Sequence, residues 1–302
     1  MSAHYLTSSA ARTLSVESVA RFSDDEAWEE FKRVRWDDNG GEPYCPRKGC
    51  GCRTVYSYRA RHIWKCKQCD HQFSVTSGTI FASRKLPHRK YLLVCAYMAN
   101  SSKGINAIML AGYIGVSVKT AHVILHKARR ALAAEVKKLK MNGVVEADGA
   151  YFGGYVKPRN LRQYRHDRRL RSNRSGKRLS MVVMREREGR TLPLVFPQED
   201  AGTAAIRATV AAGSTIHTDS AKHWDVLHAH YPVMCVNHRE AFEQDGACTN
   251  LAESFFSRAR RSEIGIHHHI SGPHLEAYAM ELAWLEDHRR LDNGAKCRAI
   301  LS

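Results

Sequence analysis

Two cysteine pairs, Cys45-x4-Cys50 and Cys66-x2-Cys69, flank a 15-residue stretch and constrain the N-terminal part of this chain more tightly than any other feature. Pairs so closely spaced sit on tight knuckles, from which four thiolates meet at one tetrahedral ion; a set with no open position selects zinc in a structural role. The stretch between them, with Val55, Tyr56, Tyr58, Ile63 and Trp64, reads as a hairpin too small to fold well without the metal. Four residues intervene in the first pair, so Cys52 or His71 is an alternative ligand. A redox CxxC would need no second pair at hairpin distance. Five of the nine cysteines fall between positions 45 and 69, and that clustering suits a metal site in a reducing compartment better than a disulfide framework. The remainder, Cys95, Cys235, Cys248 and Cys297, read as small buried or half-buried apolar residues.

With 302 residues, 43% of them hydrophobic, the chain can bury a sizeable core and divides into two or three domains. Forty-seven Lys and Arg against 30 Asp and Glu, a net charge of +17, argue for nucleic acid or an anionic surface as partner. No apolar run approaches the roughly 20 residues a membrane helix requires. The N-terminus lacks the charged start and apolar stretch of a secretory signal, so the expected location is the cytoplasm, in association with the nucleoid.

Residues 1–22, rich in Ser, Ala and Thr, are expected to be mobile. The next division, 23–85, holds a helix and the cysteine hairpin: Ser23-Asp24-Asp25-Glu26 reads as an N-cap with acids in the first turn, and Gly40-Gly41-Glu42-Pro43 ends the helical pattern. Over 86–142 the apolar residues recur at helical spacing, with a Gly-containing turn, Ala111 to Val116, before Ser117 caps a new helix. Helix, short turn and capped helix is the sequence form of a helix-turn-helix, in which Lys119, Thr120, His122 and Lys127 would face a DNA groove; a plain helical linker is the alternative. Beyond 143 the pattern changes to strands at 144–147, 179–184, 191–196, 215–218 and 233–236. Helical segments are interleaved near 203–212, 221–229, 248–261 and 273–288, which predicts an α/β domain over 143–292.

Three acids in that domain carry chemistry. Asp148 and Asp219 end apolar, β-branched runs, and Glu253 sits on a helical pattern with Arg260 seven residues further along the same face. A two-metal site needs carboxylates from separate elements, with ions about 3.5–4 Å apart gripping the attacking and leaving oxygens of a phosphoryl group. Oxygen ligands of this kind suit magnesium or manganese. Gly149, Gly153 and Gly154 allow close approach of a backbone or ligand. Asn250, one turn before Glu253, competes for or assists the third position, since an amide oxygen also ligates a hard cation. Glu146 shares a strand face with Asp148 and reads as either an acid behind the site or a solvated charge. His217 and His238 are candidates for its rim, and His267-His268-His269 reads as a loop. Between 157 and 178 ten Lys or Arg stand against a single acid. Arg162, Arg165, Arg168, Arg169, Arg171 and Arg174 in this insertion are expected to form a phosphate-contacting arm.

Several segments together resemble the bacterial insertion-sequence transposases of the ISXO-like group, which join an N-terminal zinc ribbon to an RNase-H-like DDE domain. They are the cysteine pairs, the run Gln72 to Phe81, Glu146-x-Asp148 with Gly153-Gly154, His217-Thr218-Asp219, Val236-Asn237-His238, and Asn250-x2-Glu253-Ser254-Phe255-Phe256 with Arg260. The resemblance covers about 25–290. It implies an α/β RNase-H-like catalytic domain, a mixed sheet with flanking helices, preceded by a small zinc ribbon and a helix-turn-helix-like region. It also implies binding of terminal inverted repeats and DNA strand cleavage and transfer with two Mg2+ or Mn2+ ions. Asp148 would bridge the ions, with Asp219 and either Glu253 or Asn250 each holding one, and His217 and Arg260 assisting. The partners would be double-stranded DNA, both ends and target, and further copies of the chain, at least a dimer on DNA. Two departures stand out: the residue after the first Asp is commonly Glu and is Gly149 here, and the customary Lys of the last helix is Arg260, which keeps the charge but not the shape. A non-catalytic regulator derived from such an enzyme, or a structure-specific nuclease of the same fold, are the other functions open to this sequence.

Overall fold

The computed structural model describes residues 5–153, 161–164, 176–237 and 246–301. They form two compact units, Met1–Ala131 with His288–Ser302, and Leu132–Asp287.

The first unit opens with helices α1 (Val16–Arg21) and α2 (Asp24–Arg35). Ser23 Oγ accepts the Glu26 N–H at 3.1 Å while Glu26 Oε2 accepts the Ser23 N–H at 2.7 Å, a reciprocal cap that fixes where α2 begins. Strands β1 (Val55–Tyr58), β2 (Ile63–Cys66) and β3 (Gln72–Ser74) form an antiparallel sheet in that order. Its apolar floor comes from α2 and its end: Trp28 stacks on Trp64 at 5.3 Å and Trp36 meets Trp64 edge-on at 5.2 Å. Arg35 donates to the carbonyls of Ser74, Val75 and Ser77, fixing the turn after β3, and burial pulls its pKa down to about 10.

Three helices follow, α3 (His88–Asn100), α4 (Ala107–Ile114) and α5 (Val118–Val136). Asn106 caps α4 by accepting the Met109 N–H at 2.8 Å, Gly115 ends it at φ +61°, and Ser117 accepts the Thr120 N–H at 3.1 Å to start α5. The two helices are bent by 111° across this turn, inside the roughly 90–120° of a helix-turn-helix. Among the described residues no single helix is long and apolar enough to cross a membrane.

The second unit holds a five-stranded mixed sheet: β4 (Val144–Gly153), β5 (Arg178–Glu186), β6 (Thr191–Phe196), β7 (Thr215–Asp219) and β8 (Val233–Val236), in the order β6-β5-β4-β7-β8. Pairs β4–β5 and β5–β6 are antiparallel; β4–β7 and β7–β8 are parallel. Strand β4 runs on to Gly153, past the 147 read from sequence, because β5 pairs with it as far as Gly153↔Arg178 and a ladder overrides the weak strand preference of glycine. The last β4–β7 pair is Glu146↔His217. The β4–β7 pairing ends there, and Asp148 in mid-β4 and Asp219 at the carboxyl end of β7 each lie two residues past the last pair, at an opening of the kind where α/β sheets bind ligands. Helices α6 (Gly202–Thr209), α7 (Asn250–Ser262) and α8 (Gly272–Asp287) flank the sheet, with α7 packed on β4 and α8 on β6. The segment 221–229, read as helical, is a 3-10 helix, Lys222–Ala229.

Helix α9 (Asn293–Leu301) returns to the first unit and packs on α3. Asn293 accepts the Leu14 N–H at 2.8 Å, donates to the Leu14 carbonyl and donates to Asn100 Oδ1 at 2.9 Å. Of the stretch 1–22 expected to be mobile, the described residues 5–22 include the helix α1, and Leu14 is tied to Asn293.

Candidate active site and metal centre

In the first unit the sulfurs of Cys45, Cys50, Cys66 and Cys69 all lie within 4.8 Å of one another. Cys45 and Cys69 Sγ are 3.6 Å apart, and Cys50 and Cys66 Sγ 3.7 Å. A Zn–S bond of about 2.3 Å makes the edge of a tetrahedron about 3.8 Å, so the set fits a structural zinc ion. Cys52 Sγ instead faces the Thr54 carbonyl at 3.5 Å, and the His71 ring stacks on Phe73 at 6.2 Å; neither belongs to the set.

In the second unit Asp148 projects from β4, half-buried, with Oδ1 accepting the Gly149 N–H at 2.7 Å. Burial, followed by the charges of Asp219, Glu199 and Glu253, pushes its carboxyl up to about 7 against the pull of that N–H. Asp219 Oδ1 accepts the Trp224 indole N–H at 2.8 Å and the Ala221 N–H at 3.2 Å. Glu199, from the loop after β6, is raised by burial and by Asp219 and lowered by His223. Among the described residues only the four cysteines bring three or more such ligand atoms within 4.8 Å of one another. The acids stand wider apart than that, yet near enough to act on Asp148 electrostatically. An all-oxygen set whose like charges raise Asp148 fits a hard divalent cation, which relieves that repulsion.

A cavity of about 490 Å³ is lined by Asp148, Gly149, Glu253, Arg260 and Arg261 among others; Asn250, exposed at the first position of α7, does not line it. The Arg260 guanidinium lies 5.6 Å from the centre of the Phe152 ring, which holds a cation beside the acids. A larger cavity of about 1120 Å³ opens in the first unit beside α2 and β1, but the acids of its lining, Asp25, Glu26, Glu29, Glu30 and Glu42, outnumber its cations Lys32, Arg33 and Arg59, an unfavourable balance for a polyanion.

Glu146 is buried, not solvated. It accepts the backbone N–H groups of Leu251 at 2.8 Å and Ala252 at 3.3 Å, in the first turn of α7, where Thr249 provides no side-chain cap. One carboxylate of β4 thus anchors the helix that carries Glu253. Arg187 Nε lies 3.6 Å from Glu146, while its Nη2 contacts His217 Nδ1 at 3.3 Å and donates to the Gly246 carbonyl at 2.9 Å. His217 Nδ1 also accepts the Cys248 N–H at 3.2 Å. Burial, then Arg187, lowers the His217 pKa, so this ring belongs to the network behind α7. Neither Arg187 nor Glu199 is marked by any periodic pattern in the sequence.

Of the residues expected to face DNA, Lys119 is exposed and Thr120 half-buried at the start of α5, whereas the Lys127 ammonium is turned onto the Ala82 carbonyl at 3.2 Å. Arg162 is exposed in a short 3-10 helix, Arg162–Tyr164. Arg165, Arg168, Arg169, Arg171, Arg174, Gly154 and His238 lie outside the described residues. Tyr56 and Tyr58 are exposed on β1, with Lys67 Nζ 4.8 Å from the Tyr56 ring, an aromatic and basic face that the sequence pattern did not single out.

The family model of the ISXO2-like transposase domain matches residues 140–287, and that of the transposase zinc-ribbon domain matches 22–72. A relative from Halobacterium salinarum, described as an uncharacterized protein in transposable element ISH50, is 30% identical over 206 residues, which cover 65% of this chain and 67% of the relative. No solved structure gives a significant match. One matched segment carries the thiolate set and the other carries Asp148, Asp219 and Glu253, and the chain belongs to the ISXO2-like transposase family.

Proposed function

We propose that this chain is a DDE-type DNA transposase that binds the terminal inverted repeats of its insertion sequence and catalyses metal-dependent strand cleavage and strand transfer on an RNase-H-like domain. The observation that carries the reading is the meeting of Asp148, Glu253, Arg260 and Arg261 around one cavity at the sheet opening beside Asp219: acids for cations, with arginines for phosphate. Two Mg2+ or Mn2+ ions, when bound, supply the activation of the attacking oxygen and the stabilisation of the leaving one. Asp148, acted on by the other acids, would hold these ions together with Asp219, oriented by Trp224, and Glu253, on the helix anchored by Glu146. Arg260 and Arg261 hold the phosphodiester, and the 3′-hydroxyl released at the element end is the nucleophile for target DNA. The zinc ribbon and the α4–α5 pair, with Lys119 and Thr120, hold the ends, as a dimer or larger assembly in the bacterial cytoplasm.

The test is a strand-transfer assay on DNA carrying the element ends. Asp148→Asn, Asp219→Asn and Glu253→Gln each abolish Mg2+-dependent cleavage and transfer and leave end binding intact, because the amide keeps the volume but removes the anionic oxygen. Asn250→Ala retains activity; loss there with activity in Glu253→Gln would move the third ligand to Asn250. End binding without cutting in the parent protein would make it a regulator, and cutting without joining a nuclease.

A further inference from the structure

Strand β4 sends successive side chains to opposite faces of the sheet. Glu146 and Asp148 share the face where α7 sits, since Glu146 reaches the N–H groups of Leu251 and Ala252. Gly149 opens toward the other face, together with its paired residue Val182. There the first residue of α6 is pressed onto the sheet: a Cβ at Gly202 would lie 2.7 Å from Val182 Cγ2. The segment from β6 into α6 thus runs over Gly149, and Glu199 is the residue that crosses it. A Cβ at position 149 would fall 2.2 Å from Glu199 Oε1 and 2.3 Å from its Cδ, so the missing side chain of Gly149 is the space this carboxyl group fills. From that space its charge acts on Asp148, and the charge of Asp219 acts on it. One short 3-10 helix holds both neighbours: Trp224 donates to Asp219, and the adjacent His223 places Nε2 3.5 Å from Glu199 Oε1.

We propose that Glu199 is a fourth cation-holding acid of this site, entering from the α6 face through the gap at Gly149. The inference rests on the metal-dependent function proposed above. Three carboxylates leave one positive charge of two divalent ions unmatched, and Glu199 supplies the hard oxygen and the charge to match it. Gly149 is then required for its lack of a side chain, not for any turn it makes.

The measurement is calorimetric titration of Mn2+ alone, without DNA, into the full-length zinc-loaded protein and its variants. Glu199→Gln is expected to weaken Mn2+ binding about 10–100-fold. Gly149→Ala leaves every carboxylate in the chain but displaces Glu199, and is expected to weaken it to a similar degree; the double variant should be no worse than either single one. Parent-like Mn2+ affinity in Glu199→Gln, with loss in Asp148→Asn, overturns the role of Glu199 and leaves the proposed function standing. Parent-like affinity in Asp148→Asn as well removes the site, and both readings with it. A folded Gly149→Ala with parent affinity overturns the route through the gap.

Discussion

Trp224 is fully buried and aims its indole N–H at Asp219 Oδ1, 2.8 Å away, so a residue with no titratable group sets the direction of one of the three acids. Trp224→Phe keeps most of the apolar bulk and removes only the donor. Loss of a hydrogen bond to a charged group is worth about 1.5–3 kcal/mol, reduced here because water reaches Asp219. The expected outcome is a small drop in urea stability, a clear loss of strand transfer and unchanged end binding; full activity would show that Asp219 needs no such orientation. At this scale the sequence made Asp148, Asp219 and Glu253 legible because each ends a strand pattern or opens a helical one. Glu199 and Arg187 were not legible. Each lies outside any periodic run and meets its neighbours only after strands distant in sequence have paired.

Among the elements, α7 depends on a cap from outside itself. Glu146 takes two N–H groups of its first turn, and a cap of this kind is worth about 0.5–2 kcal/mol. Glu146→Ala should lower stability by that order and strand transfer by more, because Glu253 rides on the freed turn; Glu146→Gln, which keeps an acceptor oxygen, should retain much of both. Equal activity in Glu146→Ala and the parent would disconnect the cap from the site. The zinc ribbon gives a second expectation at this scale. Cys66→Ser should lose zinc, measured by metal analysis, and with it end binding, while α2 still offers Trp28 and Trp36 to whatever remains of the sheet. Normal end binding in a zinc-free variant would separate the ribbon from DNA. Element types were largely legible from periodicity and caps, as at Ser23 and Ser117. The length of β4 was not, since glycines at 149 and 153 weaken a strand pattern locally and only the β5 ladder carries the strand past Ala147 to Gly153.

For the molecule as a whole, a net charge of +17 read as a polyanion partner needs no fold to be seen, whereas the return of α9 to α3 does: Asn293 meets Leu14 and Asn100 across most of the chain, a contact no local pattern encodes. The charge itself yields the last expectation. Each phosphate neutralised by a Lys or Arg lowers the slope of log affinity against log salt by about 0.9 on duplex DNA. If the 157–178 insertion lies along the backbone, replacing Arg165, Arg168, Arg169 and Arg171 by Gln should flatten that slope by up to about 3.6 and weaken binding alike on element ends and on unrelated DNA, because phosphate contacts carry affinity without reading bases. Mn2+ binding should not change, since none of these residues is among the acids at the sheet opening. Binding measured across a salt series on both DNAs decides it: an unchanged slope makes the insertion solvated surface, and a loss confined to element ends makes it a reader of sequence.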